Sequence, residues 1–359
     1  MALWTRIVTG VAVMGISAAA SAAPTVLVSI KPLYGLTAAL MEGVGTPRLL
    51  LDGTASPHGY SLRPSDAQAL SEADVVVWVG PSLETFLVEP LETLAEDSRI
   101  VEAMEADGIT LLAAREGGIW APHVHHHADA DEEHEHEHAD DEDEHEHEHA
   151  EDEHEHEHAE HEEDEDEHHD EHEEHEEAHH HHEGEMGMDP HVWLDPLNAT
   201  AIAEATAAAL IAEDPDNAAR YRANLAELEE ELAALDASLA TSLAPLRGRS
   251  FLVFHDAYQY LDRRYGLDAA GSVAVSPEHR PGARRMAELR ALILQRGVAC
   301  VFAEPQFSSA LMETLVEGTD VGFGTLDPLG VAVEKGPKAY QGIMKDLDDS
   351  LVACLTPAG

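Results

Sequence analysis

Basic side chains are scarce in this chain: 20 Lys and Arg stand against 72 Asp and Glu, giving a formal net charge of −52. Such a surface repels phosphate backbones and anionic lipid, so nucleic acid and membrane headgroups are poor partners and cations are natural ones. Cysteine is limited to Cys300 and Cys354, which argues against thiolate metal ligation. HExxH strings fall only inside the acidic low-complexity stretch and none lies on an expected helix, and no G-x-S-x-G elbow occurs, so the usual metalloprotease and serine-hydrolase frameworks are missing. Past the first residues, no segment is long and apolar enough to span a bilayer, which takes about 20 residues.

The charge is unevenly spread. Residues 121–185 hold 33 Asp and Glu and no Lys or Arg, and the remainder carries −19, ordinary for a soluble protein. At the start, Arg6 precedes a short apolar run from Ile7 to about Ala20, and Ala20-Ser21-Ala22 suits a small-x-small cleavage site. Residues 1–22 therefore read as a secretory signal that is removed, leaving a soluble exported protein without a lipid or membrane anchor. Export places Cys300 and Cys354 in an oxidising compartment, where a disulfide is the default and two buried free thiols the alternative.

About 335 residues remain, enough for two ordinary domains. Strand and helix alternate on both sides of the acidic stretch. Strands are expected at 25–30, 48–52 and 74–79, with helices at 32–41, from Pro64, and at 82–95. Residues 121–188 form a low-complexity insert in which EHEHEHA occurs three times, beginning at Glu133, Glu144 and Glu153. With so few apolar residues it cannot offset the cost of ordering a chain. An alanine-rich helix is expected at 198–213. Asp214 then reads as a cap, with Pro215 opening a long helix that reaches about Ala244 and carries one apolar stripe of leucines from Leu225 to Leu246. Further strands are expected at 250–254, 272–275, 299–303 and 321–326, with helices at 257–265, 281–296 and 308–317. The fold class is therefore α/β: two (β/α)-type lobes with parallel sheets, bridged by one long helix. The division is a signal at 1–22, an N-terminal lobe at 23–120, the insert at 121–188 and the end of the N-terminal lobe at 189–213. The linking helix comes next at 214–246, then a C-terminal lobe at 247–359.

Of 26 histidines, 22 lie in the insert, and only His58, His191, His255 and His279 lie outside it. His255, in FLVFHDAYQYL, directly follows an apolar strand, and ligands in parallel α/β sheets bind at the carboxyl ends of strands. His58, in ASPHGYSLRPSD, lies in the loop after another strand. His191, in MDPHVWLDP, stands where the chain leaves the insert, and Asp327, in TLDPLG, follows the last expected strand. Three imidazoles and a carboxylate suit tetrahedral Zn²⁺. A lone histidine after a strand is more often a structural hydrogen-bonding group than a ligand, and Asp327 before Pro328 also reads as a helix cap. His279, in SPEHRPG, is left as an exposed turn residue. In the insert, weaker cation sites are expected from His125, His126, His127, His134, His136, His138, His145, His147, His149, His154, His156, His158, His179, His180, His181 and His182. Alternating Glu and His over such a length is hard to explain without cations, although a plain solvated charge run is the alternative.

SLRPSD, DVVVWVGP, MDPHVWLDP, APLRG, FLVFHDAYQYL, ACVFAEPQF and TLDPLG, in this order and around a histidine-rich insert, resemble the zinc-uptake periplasmic binding proteins. These are the metal-specific cluster of solute-binding proteins (cluster A-I, or cluster 9) that serve ATP-driven importers. The resemblance covers the whole mature chain. It implies metal in a cleft between two lobes, with ligands at His58, His191 and His255 and a fourth, weaker contact from Asp327, and it implies that Cys300 pairs with Cys354. Manganese-binding relatives carry a carboxylate where His255 stands, so the imidazole favours zinc. Some zinc members have a glutamate before the first histidine, where this chain has Pro57, and the fourth position then falls to Asp327 or to water. The resemblance thus implies a periplasmic, monomeric, non-catalytic carrier that delivers Zn²⁺ to the permease of an ABC importer. The competing readings are a zinc buffer or chaperone working through the insert, a periplasmic zinc hydrolase, and a manganese or nickel carrier.

Overall fold

In the first sheet, β1 (Val26–Ile30), β2 (Arg48–Leu51), β3 (Val75–Trp78) and β4 (Arg99–Glu102) lie in the order β2-β1-β3-β4. Every pairing between them is parallel. Runs such as VLVSI and VVVW are buried along their whole length, as strands covered on both faces by helices must be. The second sheet repeats the pattern with β5 (Ser250–Val253), β6 (Asp268–Ser272), β7 (Cys300–Ala303) and β8 (Gly322–Thr325), again all parallel, in the order β6-β5-β7-β8. This computed structural model describes residues 23–115, 120, 187–274 and 281–356. The signal at 1–22, nearly all of the insert, and His279 lie outside the described residues.

Nine helices occur among the described residues: α1 (Lys31–Leu40), α2 (Pro64–Ser71), α3 (Val88–Leu94), α4 (Pro196–Glu213), α5 (Ala218–Leu243), α6 (Gln259–Tyr265), α7 (Ala283–Arg296), α8 (Ala310–Val316) and α9 (Ala339–Leu355). The 26 residues of α5 make a rod of about 39 Å at 1.5 Å per residue. Its leucine stripe works as the spacing requires. Leu228, Leu232, Leu239 and Leu243 are buried, while Leu225 and Leu235 pack at the margin. One apolar core runs through Val28 of β1, Leu232 of α5, Phe251 of β5 and Leu347 of α9, so the long helix joins the inner faces of both sheets.

Three expectations need correction. The strand expected at 272–275 lies earlier, at β6, whose DAAGS sequence carries no branched apolar residue and whose register with β5 shifts between Phe251 and Leu252. Asp214 does not cap the long helix: its carboxylate accepts from Asn217 Nδ2 at 2.7 Å and from the Tyr221 hydroxyl at 3.0 Å, and a single 3₁₀ turn, Pro215–Asn217, precedes α5. The helix expected at 82–95 is a 3₁₀ turn, Thr85–Leu87, running into the shorter α3. Two elements, β4 and α9, are additions to the expected set. The first is short and of its four residues only Val101 is buried. The second packs against α1, α5 and β8, and a Cβ placed on Gly35 of α1 would stand 2.5 Å from the backbone nitrogen of Tyr340. At the start of α9 the two helices therefore meet with almost no side chain between them.

Candidate metal centre

The carboxyl ends of both sheets supply the site. The loop after β2 carries a 3₁₀ turn, Pro57–Gly59, whose entry is fixed by Ser56 Oγ accepting from the His58 amide at 3.3 Å. β5 ends at Val253, two residues before His255. His191 comes from the segment that re-enters the fold after the insert, just ahead of the 3₁₀ turn Val192–Leu194 and α4. These three histidines offer nitrogens that all lie within 4.8 Å of one another, the one such group of metal-ligating side chains among the described residues. Ring centroids are 5.4 Å apart for His58 and His191, 5.7 Å for His58 and His255, and 5.2 Å for His191 and His255. His191 and His255 are buried and His58 is half-buried.

Two buried carboxylates orient the inner pair. Asp189 Oδ1 lies 2.7 Å from His191 Nδ1 and also accepts the His191 amide at 3.0 Å. Glu304, directly after β7, sets Oε1 2.6 Å from His255 Nδ1. An ionised carboxylate only accepts, so each Nδ1 carries the ring proton and each Nε2 presents a lone pair. Those two Nε2 atoms are 3.3 Å apart. Two lone pairs so close in a buried pocket repel unless a cation stands between them. Burial alone would pull the His255 pKa down, but the charge and hydrogen bond of Glu304, with Asp256 and Asp189 behind, outweigh it and hold the imidazole above its ordinary value.

Outer contacts keep this arrangement in place. Tyr260 donates its hydroxyl to the Asp189 carbonyl at 2.7 Å and accepts from the Leu112 amide at 3.1 Å. Arg115, the last described residue before the insert apart from Trp120, pairs with Asp256 beside His255 and with Asp262 at 3.1 Å, and lies 3.7 Å from the Trp120 ring centroid. Burial raises the Asp262 carboxyl to about 7 although Arg115 pulls the other way. The pocket between the histidines is closed by Trp193, Phe307, Pro328 and Leu329, and it leaves a free volume of about 10 Å³. That is room for one water-sized guest.

Asp327 does not join the three histidines. Its carboxylate is taken up by its own loop: Oδ1 accepts from the amides of Leu329 at 3.2 Å and Gly330 at 2.9 Å and from Gln306 Nε2 at 3.0 Å, and Oδ2 accepts from Val331 at 2.5 Å. It is a loop cap. Asp189 and Glu304, which sequence reasoning passed over, had signals available: an acid two residues before a candidate histidine, and an acid at the carboxyl end of a buried strand. Glu304→Gln keeps the shape but weakens the pull on His255 Nδ1. Outer-shell partners of metal-bound histidines are worth about 10–100-fold in affinity, and a loss of that size is expected when the variant is titrated with Zn²⁺ against a chelator. The sixteen insert histidines expected to form secondary sites lie outside the described residues.

A profile of the family described as zinc-uptake complex component A, periplasmic, matches residues 26–354. The high-affinity zinc uptake system protein ZnuA of Brucella suis biovar 1 is 45% identical over 331 residues, covering 92% of this chain and 91% of the relative. Its counterpart from Yersinia pestis is 35% identical over 341 residues, 93% of this chain and 92% of the relative. Among solved structures, a crystal structure of ZnuA superposes with a TM-score of 0.67 at 24% identity, covering 93% of this chain and all of that one. At that identity the likeness bears on the fold.

Proposed function

Because the chain belongs to the family of periplasmic zinc-uptake complex components, we propose that it captures Zn²⁺ with His58, His191 and His255 and hands the ion to the permease of an ABC-type importer. The spacing of His191 and His255 carries this reading. Nitrogens bound to one tetrahedral zinc at about 2.0–2.1 Å lie about 3.3 Å apart, and these two stand at 3.3 Å with both lone pairs facing inward. Asp327 is spent on its loop, so water takes the fourth position, which leaves one exchangeable site for release.

In this reading residues 1–22 are a cleaved signal and the mature monomer works in the periplasm. The insert at 121–188 holds further ions loosely and raises their concentration near the pocket. One tight Zn²⁺ per chain is expected in a chelator competition, and that site survives deletion of residues 121–185. Zinc binds only neutral imidazole, so protons compete with it. The raised pKa of His255 means the ring holds its proton at higher pH than a free histidine, near 6.5. Affinity is therefore expected to be highest above pH 7.5 and to fall as pH drops, beginning above 6.5. A competition curve flat from pH 7.5 to 5.5 would remove the imidazole site.

A further inference from the structure

Lys31 is a buried cation with an unusual set of partners. It is the first residue of α1, directly after β1, and is 3% exposed. Its Nζ donates to three backbone carbonyls some 300 residues away: Gly330, Val331 at 3.2 Å and Val333 at 3.1 Å. The same loop is capped internally by Asp327, which accepts three successive amides. Asp327 and Asp52 both face Lys31 and oppose the loss of its charge, although burial draws its pKa down. Two further ties cross from the N-terminal half to this loop or its cap. Gln306 Nε2 bridges the Gly53 carbonyl at 3.1 Å and Asp327, and Trp193 Nε1 donates to the Pro328 carbonyl at 3.0 Å. Pro328 and Leu329, on this loop, form one wall of the metal pocket.

We infer that Lys31 is a positioning residue for ion retention: by gripping loop 327–333 from the opposite sheet, it holds the Pro328–Leu329 wall shut and sets how fast a bound ion leaves. The inference rests on the ion-capture reading above. The Lys31 hydrogen bonds go to loop carbonyls and not to the histidines, so its loss leaves the three imidazoles and their carboxylates in place. That loss takes a charged donor from the three carbonyls and a facing cation from Asp327. The loop then has less reason to stay closed, and the wall opens more often.

The test uses the full mature chain loaded with one Zn²⁺ and a stopped-flow transfer of the ion to an excess of a fluorescent chelator. Lys31→Met keeps the length of the side chain and deletes the donors. Breaking charge-assisted hydrogen bonds of this kind predicts release faster by about tenfold or more, with stoichiometry still one and association little changed. A lysine that only props up the fold would lower the melting temperature of the zinc-free protein and leave release untouched, and release within twofold of the unsubstituted chain overturns the inference. Should Lys31→Met fail to fold, Lys31→Gln decides, since it removes the charge and shortens the reach to the three carbonyls while keeping a polar end at the buried position. Faster release supports the grip and unchanged release overturns it. If the unsubstituted chain holds no zinc at all, it is the capture reading that fails, and the two failures are thereby told apart.

Discussion

His191→Ala is expected to lower zinc affinity by about a thousandfold, or about 4 kcal/mol, which is more than any outer-shell change should cost. Three features make His191 the largest single contributor. It is 2% exposed, so its imidazole is already desolvated and aimed before the ion arrives. Its orientation is fixed twice, by Asp189 Oδ1 on Nδ1 and by the same oxygen on its own amide. It also forms the two closer ring pairs of the three, so its loss leaves only His58 and His255, whose ring centroids are 5.7 Å apart. Alanine further leaves the Asp189 carboxylate buried and facing a hole. Competition against a chelator of known strength reads the loss, with a melting curve of the zinc-free variant as control. A tenfold loss or less in a folded variant would mean the ion is held elsewhere.

Replacing both Cys300 and Cys354 by alanine is expected to cost about 4 kcal/mol, the chain-entropy value for a loop of this size, with zinc affinity unchanged. The bond joins β7 to α9 across 54 residues of sequence. It lies against β8, where the side chains are absent: a Cβ on Gly322 would stand 2.9 Å from Cys354 Sγ, and one on Gly324 3.5 Å from Cys354 Cβ. The bridge thus presses the last helix onto glycines that leave room for it. For a chain of this size the loss converts to a melting temperature lower by about 10 °C, and a reductant should produce most of the same shift in the unsubstituted protein. A drop under 2 °C would show that packing of α9 alone suffices. The histidine pocket lies at the other end of β7, beyond Glu304, which is why binding should not follow stability here.

Much of the fold is legible in the residues alone, for identifiable reasons. Buried parallel strands announce themselves as continuous apolar runs, so β1, β3, β5 and β7 can be placed to within a residue or two. The rule that function gathers at the carboxyl ends of such strands then singles out His58 and His255. β4 and β6 escape because neither is a continuous apolar run: RIVE is charged at both ends, and DAAGS has no large apolar residue. α9 does carry its signal: Tyr340, Ile343, Met344, Leu347, Leu351 and Leu355 are buried at three- and four-residue spacing. Asp327 illustrates a limit of another kind. An Asp before Pro-Leu-Gly suits a ligand and a loop cap equally, and only the positions of the amides of Leu329, Gly330 and Val331 separate the two. Lys31 cannot be valued at all from sequence, since its partners lie some 300 residues away.

The bare crossing of α1 and α9 at Gly35 also bears on how cargo is surrendered. Backbones that touch at one point cannot slide there, so the start of α9 is pinned to α1 like a rivet and not held by a slipping joint. Any opening of the far rim must then come from short spans giving way near the mouth. The give needed to let an ion out is then expected in loops at the rim and not in a swing of one sheet against the other.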